Sequence, residues 1–578
     1  MKKFLLGFVI GVVLAGIAGL IFSAAAMRLT SDRPVTVTDG STLVLHLEGE
    51  LPEQPQVSLP IPFLEDQQPM TMVETWQLIH KAAADSRIKA MVLEPRDLQV
   101  GWAKLEELRD TILAFKKTGK PVYAYLRSAS TKEYYVATAA DKVFMAPEDE
   151  LDVKGLRAEL MFVKGTLDKL GVGLEFEHVG KYKDAPDMFT RTSPTPETLE
   201  VENAILDQYY GDIISVIAEG RKKQPVAVKA LIDDGPFVGQ SALDGGLIDG
   251  LLFEDEMYAK LKDAAKLDSI KKVGDRDYSK VDVTAAINLN NDGKTKIAFL
   301  VGQGDIARGS SNDSISNDGI TASSMVKLMK QVENDASIKG VILRIDSPGG
   351  DGIASDDILH EAKLLSARKP LVISMSDLAA SGGYFIAMTG DPIVSYPNTL
   401  TGSIGVFFGK VNLKGLFEKV GITTDILKRG RFADIDTETA PLNDEQRAKL
   451  RTEIEKFYRG FVERVAAGRK QPYDKVEPLA QGRVWLGSQA KQNGLVDELG
   501  GLDRAVELVR DRAKISSSEK ITLVTYPPKR TIWDILLNRS DDTAQLESRL
   551  RPFIGRLPIR ALVHGGILHL MPYTITVK

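Results

Sequence analysis

Hydrophobic positions along the chain follow two periods. Short, mostly aliphatic runs at residues 297–301, 340–345 and 371–375 are bounded by polar or glycine residues and predict buried β-strands. Helical patterns lie between them. Late in the chain Leu450, Ile454, Phe457, Phe461 and Val465 lay one apolar stripe on a long helix, and Asn443 with Gln446 forms a capping box at its start. Strands alternating with amphipathic helices predict an α/β fold of βαβ units around a mainly parallel sheet.

The first residues follow neither period. Lys2 and Lys3 precede an uncharged stretch at 4–26, which as a helix would be about 34 Å long and could span a bilayer with a modest tilt. The positive flank on the amino side predicts a cytoplasmic N-terminus, with the rest of the chain outside the membrane. Alanines at 24–26 leave a cleaved signal peptide as the alternative.

Set against itself at a shift of 250 positions, the sequence matches over most of its length. Residues 85–93 (DSRIKAMVL) match 335–343 (DASIKGVIL), and 134–137 (YYVA) match 384–387 (YFIA). Gly155 answers to Gly405, the run 180–182 to 430–432 and, at a shift of 248, Gly246 to Gly494. Two tandem copies of one α/β unit follow. The expected organisation is an anchor at 1–27, a first copy at 28–268, a polar linker at 269–295, a second copy at 296–512 and a tail at 513–578 with no counterpart in the first copy.

A duplicated scaffold keeps its packing residues in both copies, but a single active site needs each reacting group once. The mismatches therefore carry the chemistry. Copy two has Ser-Pro-Gly-Gly at 347–350 after a strand, where copy one has Asp-Leu-Gln-Val at 97–100. Paired glycines permit a sharp turn with outward N–H groups, which suits an oxyanion hole or simply a turn. Ala-Ala-Ser-Gly-Gly-Tyr at 379–384 sets Ser381 among small residues, where copy one has Thr131 followed by Lys132 and Glu133. Ser381 reads either as an accessible nucleophile or as a helix-capping serine. A serine needs a base, and a lysine serves if burial lowers its pKa toward neutrality. Lys181 pairs with Arg431 and is shared, whereas Lys183 pairs with Ala433 and belongs to copy one alone.

Composition removes several alternatives. The 578 residues are 43% hydrophobic with a net charge of -5 and no basic block, which argues against nucleic acid as a partner. There is no cysteine, so thiol nucleophiles and thiolate metal sites are excluded. None of the six histidines makes an HExxH spacing, and no metal or organic cofactor is expected.

Together the runs at 347–350, 380–384 and 399–405, with Tyr182 and Lys183 in the preceding copy, resemble the motif set of the long-form signal peptide peptidase A (protease IV) family. The resemblance covers roughly residues 1–510. It implies a Clp protease/crotonase-like superhelical fold in tandem duplicate and a homotetramer in the bacterial inner membrane. Ser381 would be the nucleophile, Lys183 the general base and Ser403 the residue orienting the lysine. Backbone N–H groups of Gly350 and Gly382 would form the oxyanion hole. The expected substrates are hydrophobic peptides, in particular remnant signal peptides. A catalytically inactive membrane scaffold and a crotonase-type acyl-CoA enzyme are the competing readings of the same fold.

Overall fold

The computed structural model describes residues 35–55, 68–281, 295–309 and 319–529, together with the backbone of a strand at 566–570. The expected anchor at 4–26 lies outside the described residues. Among those described, no helix is long and apolar enough to cross a membrane.

In chain order the first half contributes β1 (Ser41–Gly49), β2 (Ile88–Leu98), β3 (Val122–Leu126), β4 (Ala129–Ser130), β5 (Lys142–Met145), β6 (Glu150–Asp152), β7 (Gly173–Val179), β8 (Phe237–Val238), β9 (Gly250–Leu251) and β10 (Lys271–Gly274). The second half contributes β11 (Lys296–Gln303), β12 (Ile306–Ala307), β13 (Ile320–Thr321), β14 (Ile338–Ser347), β15 (Gly349–Asp351), β16 (Leu371–Ala380), β17 (Ile393–Ser395) and β18 (Leu400–Gly402). It ends with β19 (Val406–Asn412), β20 (Val484–Leu486), β21 (Glu498–Leu499), β22 (Thr522–Tyr526) and β23 (Gly566–Leu570).

Two parallel sheets share one order, β10-β1-β2-β3-β5-β9 in the first half and β22-β11-β14-β16-β17-β21 in the second. A corner of three short strands is also repeated. β6 lies parallel to β4 and antiparallel to β8, and β18 lies in the same way between β16 and β20. The central strands are buried on both faces, as the aliphatic runs predict.

The linker and tail boundaries differ from the expectation. Lys271–Gly274 is the edge strand beside β1, and Thr522–Tyr526 holds the equivalent place beside β11. The two segments are therefore counterparts that complete their sheets. Periodicity could not show this, because only Val273 of the first four-residue strand is buried and its pairing partner lies some 230 positions away. The long helix Asp444–Gly468 starts at the Asn443 capping box, but its buried stripe is Ile454, Tyr458, Phe461 and Val465. Phe457 lies outside that stripe and is 37% exposed.

Two devices fasten the halves together. β7 of the first half runs antiparallel along the whole of β19 in the second, from Val179 opposite Val406 to Gly173 opposite Asn412. A buried charge cluster forms the other joint. Arg344 on β14 is fully buried, donates to Glu53 at 2.9 and 3.1 Å and to Glu107 at 2.6 Å, and reaches Ser374 and Ser376. Beside it Lys104 Nζ lies 2.8 Å from Asp346, and the Asp377 carboxylate accepts the backbone N–H groups of Gly101 and Lys104. Burial alone would raise the Glu53 pKa, but Arg344 and Lys104 outweigh it and hold the carboxyl down to about 2.

Removing one partner of such a cluster leaves the other charge buried and uncompensated. Arg344→Met should cost about 3–5 kcal/mol, read as a lowered urea midpoint. Because the folded-state pKa of Glu53 lies below its ordinary value of 4.5, its contribution is complete above that value and disappears as pH falls through about 2. Wild-type stability should drop across that acid window more steeply than that of Arg344→Met.

Candidate active site

β16 ends at Ala380, and Ser381 stands between it and the short helix Gly382–Ile386 with φ 54° and ψ -114°. A non-glycine residue at positive φ is strained and must be held by its surroundings. Ser381 N–H donates to Gly402 O at 2.8 Å, and Ser381 O accepts from Phe385 N–H at the same distance. Its side chain makes no capping bond to the helix, which excludes the helix-capping role.

The glycines around it serve the approach of another loop. A methyl on Gly383 would stand 2.6 Å from Ser347 O, and one on Gly382 would stand 3.1 Å from both Gly349 Cα and Gly350 N. The turn at 347–350 thus packs directly on the start of the Ser381 helix. Gly350 has φ +153°, and a side chain there would strike the Ile306 carbonyl at 2.0 Å. Ser347 pins the turn by donating to Gly304 O at 2.7 Å and accepting from Gly349 N–H at 3.2 Å.

Lys183 arrives from the other half. It follows β7, whose pairing with β19 sets the residues after Val179 beside those before Val406. Tyr182 N–H donates to Gln481 O at 2.9 Å, and Gly482 N–H donates to Ile404 O at 2.8 Å. Methyl groups on Gly482 and Gly405 would stand 2.6 Å from Lys183 Cβ and 3.1 Å from Lys183 Cδ. These two glycines form the slot for the lysine stem. Gly482 was not singled out by the sequence, and a single glycine in Gln-Gly-Arg carries no local signal for it.

Lys183 is 1% exposed, and its Nζ lies 2.8 Å from Ser381 Oγ, 2.9 Å from Ser403 Oγ and 3.1 Å from Ser403 O. Burial pushes its pKa down to about 7, opposed only weakly by the neighbouring Asp184. Asp184 is itself pushed up to about 6 by burial and accepts a hydrogen bond from Thr198. A neutral amine has two N–H donors and one lone pair. The Ser403 carbonyl can only accept, and with its hydroxyl accepting the second N–H the lone pair would face Ser381 O–H. The structure brings Ser381, Lys183 and Ser403 into one buried contact and sets Gly350 against Gly382 beside it.

The corresponding place in the first half is filled. There Ser130 caps the helix Thr131–Ala137, and the Glu133 carboxylate accepts from Ser130 N–H at 2.8 Å and from Leu98 N–H at 2.6 Å. A fixed side-chain anion occupies that turn.

The model of Peptidase family S49 matches residues 114–268 and 363–516, one stretch in each half. The chain belongs to this family. It is similar to the chloroplastic serine protease SPPA of Arabidopsis thaliana, 33% identical over 526 residues that cover 90% of this chain and 77% of the relative. Protease 4 of Haemophilus influenzae is 30% identical over 87% of this chain and 84% of its own length, and Protease 4 of Salmonella typhi is 30% identical over 80% and 74%. A ClpP1 mutant of Listeria monocytogenes overlaps 37% of the chain and 95% of its own at 15% identity, with a TM-score of 0.25. The S49 chain described here is thus a serine peptidase built as an α/β protein.

The lysine contributes a pH signature of its own. Its folded pKa of about 7 lies below the ordinary 10.5, so the unfolded state binds the extra proton between those values and stability should rise with pH across them. Lys183→Met should abolish that rise and unfold at higher urea than wild type below pH 7. Gly482→Ala, strained at φ +77° and pressed on the lysine stem, should lower kcat at least about tenfold, measured by peptide hydrolysis in the folded variant.

Proposed function

We propose that this serine peptidase works through a Ser381/Lys183 dyad divided between its two halves. The observation that carries the reading is the 2.8 Å contact of Lys183 Nζ with Ser381 Oγ at a site where burial brings the lysine pKa to about 7. As the Ser381 oxygen attacks the scissile carbonyl carbon, its proton passes to the Lys183 lone pair. The tetrahedral oxyanion is held by the N–H groups of Gly350 and Gly382. The lysine then gives the proton to the leaving amine. Water enters by the reverse sequence, releasing the acyl group from Ser381 and returning its hydrogen. Ser403 orients the amine throughout.

The tandem copies suit a Clp protease/crotonase-like superhelical fold. A single-pass inner-membrane anchor at 1–27, with the catalytic part extracytoplasmic, rests on the Lys2/Lys3 flank and the apolar stretch after it. Hydrophobic peptides at the membrane, including remnant signal peptides, are the substrates that this placement and the family favour. The repeat also supports assembly of several copies into a homotetramer. The counterparts of β7 and β19 at the shift of 250 are residues 423–429 and 156–162, which make no such ladder with one another. Leu427 is 93% exposed and Met161 73%. Pairing of these segments between neighbouring chains would repeat the joint that links the two halves.

Ser381→Ala and Lys183→Ala should each reduce kcat by at least about 1,000-fold, and Lys183→Arg should not rescue it, because guanidinium stays charged. Ser403→Ala should be milder. The kcat/KM profile should rise through an apparent pKa near 7 and be unchanged in His46→Ala, His80→Ala, His178→Ala and His360→Ala. Near-normal turnover in either folded alanine dyad variant rules out the assignment. Protease added outside the cytoplasmic membrane should reach the bulk of the chain, and an intact catalytic region would reverse the orientation.

A further inference from the structure

Asn398 stands in the turn before β18 and is 1% exposed. At the shift of 250 its counterpart is Glu148, so the amide belongs to one copy only. Each of its polar atoms is bonded to the first half. The backbone N–H donates to Glu106 Oε2 at 3.0 Å, and the carbonyl accepts from Tyr209 O–H at 3.3 Å. The side-chain amide donates to Asp212 Oδ2 at 2.9 Å and accepts from Gln208 Nε2 at 3.4 Å. Asp212 Oδ2 also accepts from Tyr135 O–H at 2.8 Å. Glu106 lies on the helix Trp102–Lys116, and Gln208, Tyr209 and Asp212 lie on the helix Pro196–Arg221. Little slack separates Asn398 from Ser403. The Thr399 hydroxyl donates to Ser376 O at 2.8 Å, β18 pairs on both sides, and Gly402 O holds the Ser381 N–H. Ser403 itself has φ 48°, a conformation that only its surroundings maintain. The helix Pro196–Arg221 reaches the lysine as well. Thr198 in its first turn donates to the carboxyl group of Asp184, the residue after Lys183. Thr198 and Tyr209 are about 16 Å apart along the helix, so one rigid element spaces the Ser403 strand from the Lys183 segment.

We infer that Asn398 is a positioning residue for the peptidase reaction: gripped by two first-half helices, it fixes the strand that carries Ser403 against the amine of Lys183. The inference rests on the dyad reading. Four hydrogen bonds to four side chains of the other half accept one placement of the turn, and β18 transmits that placement to Ser403. If the strand shifts, Nζ loses the Ser403 oxygens at 2.9 and 3.1 Å, and water reaches the amine. Rehydration favours the ammonium, so the rate and the basicity of the lysine both depend on the grip. An amide suits position 398 because it donates to one neighbour and accepts from another. A carboxyl there would face Asp212 and Glu106, whose own carboxyls burial already pushes above their ordinary range.

The test follows hydrolysis of a fluorogenic apolar peptide by the full-length chain carrying Asn398→Ala, Asn398→Asp, or Asn398→Asp together with Asp212→Asn. Both single variants should lose kcat about 10- to 100-fold with KM nearly unchanged. The apparent pKa of kcat/KM should move up from about 7 toward the ordinary lysine value of 10.5. In the exchange one amide again faces one carboxyl group with donor and acceptor reversed, and the Tyr135 hydroxyl can turn to match. Its kcat should return to within about threefold of wild type. Normal kcat in folded Asn398→Ala, an apparent pKa there that stays near 7, or an exchange no better than Asn398→Asp alone overturns the positioning role. Ser381→Ala and Lys183→Ala are assayed beside them. Retained hydrolysis in these overturns the dyad reading and this inference together, whereas their inactivity beside a normal Asn398→Ala removes this inference alone.

Discussion

Lys183 is 1% exposed and wedged between Gly405 and Gly482, and burial there brings its pKa to about 7. The glycine slot and the β7–β19 joint hold the lysine in that desolvated place. An ammonium so placed would need a counter-charge, yet Asp184 is itself raised to about 6 by burial and directs its hydrogen bonding to Thr198. What faces Nζ is neutral oxygen: two atoms of Ser403 and the hydroxyl of Ser381. Such a shell favours the neutral amine, which is the form with a lone pair to offer.

No single copy of the fold could build this contact. The lysine comes from one half and both serines from the other, so the amine is correctly placed only while the halves stay in register. β7 on β19 supplies that register next to the site, and its period-two pairing means that a one-residue slip would turn every side chain on β7 to the opposite face. The Arg344 cluster supplies a second anchor farther along the sheet. Replacing a buried ion cluster with apolar side chains often costs nothing in stability. Its value here lies in geometry: bidentate and forked bonds from Arg344 to Glu53 and Glu107 accept only one alignment of the halves.

The repeat and the copy-specific residues were legible in the sequence because they depend on local residue types at a fixed shift. Ser381, Lys183, Gly350 and Gly382 lie where that comparison directs attention, whereas Ser403 rests on the family resemblance alone. Pairings over long distances were not legible. β10 and β22 are short edge strands whose partners lie more than 200 positions away, and their few residues carry no periodic pattern. The slot formed by Gly482 was equally hidden, since a glycine that makes room for a side chain 299 positions earlier looks like any turn glycine. In the long helix, choosing Phe457 over Tyr458 followed hydropathy. The helix buries Tyr458 because its ring lies in the stripe and its hydroxyl reaches Glu477 at 3.2 Å.

The two turns also differ in a way that suits the proposed dyad to one copy only. In the second half, glycines at 382 and 383 let the 347–350 turn close on the serine, and among the described residues no side-chain carboxylate reaches back into it. In the first half, Glu133 sends a carboxylate back to Ser130 and Leu98, so donors of the same turn are already satisfied by a fixed anion. A site meant to stabilise a transient oxyanion must keep its donors available until the charge develops. Filling them permanently with Glu133 gains a capping box and leaves those donors unavailable to any other oxygen. Under the proposed dyad, the first half is the scaffold that presents Lys183, and the second half holds the serine that the lysine would serve.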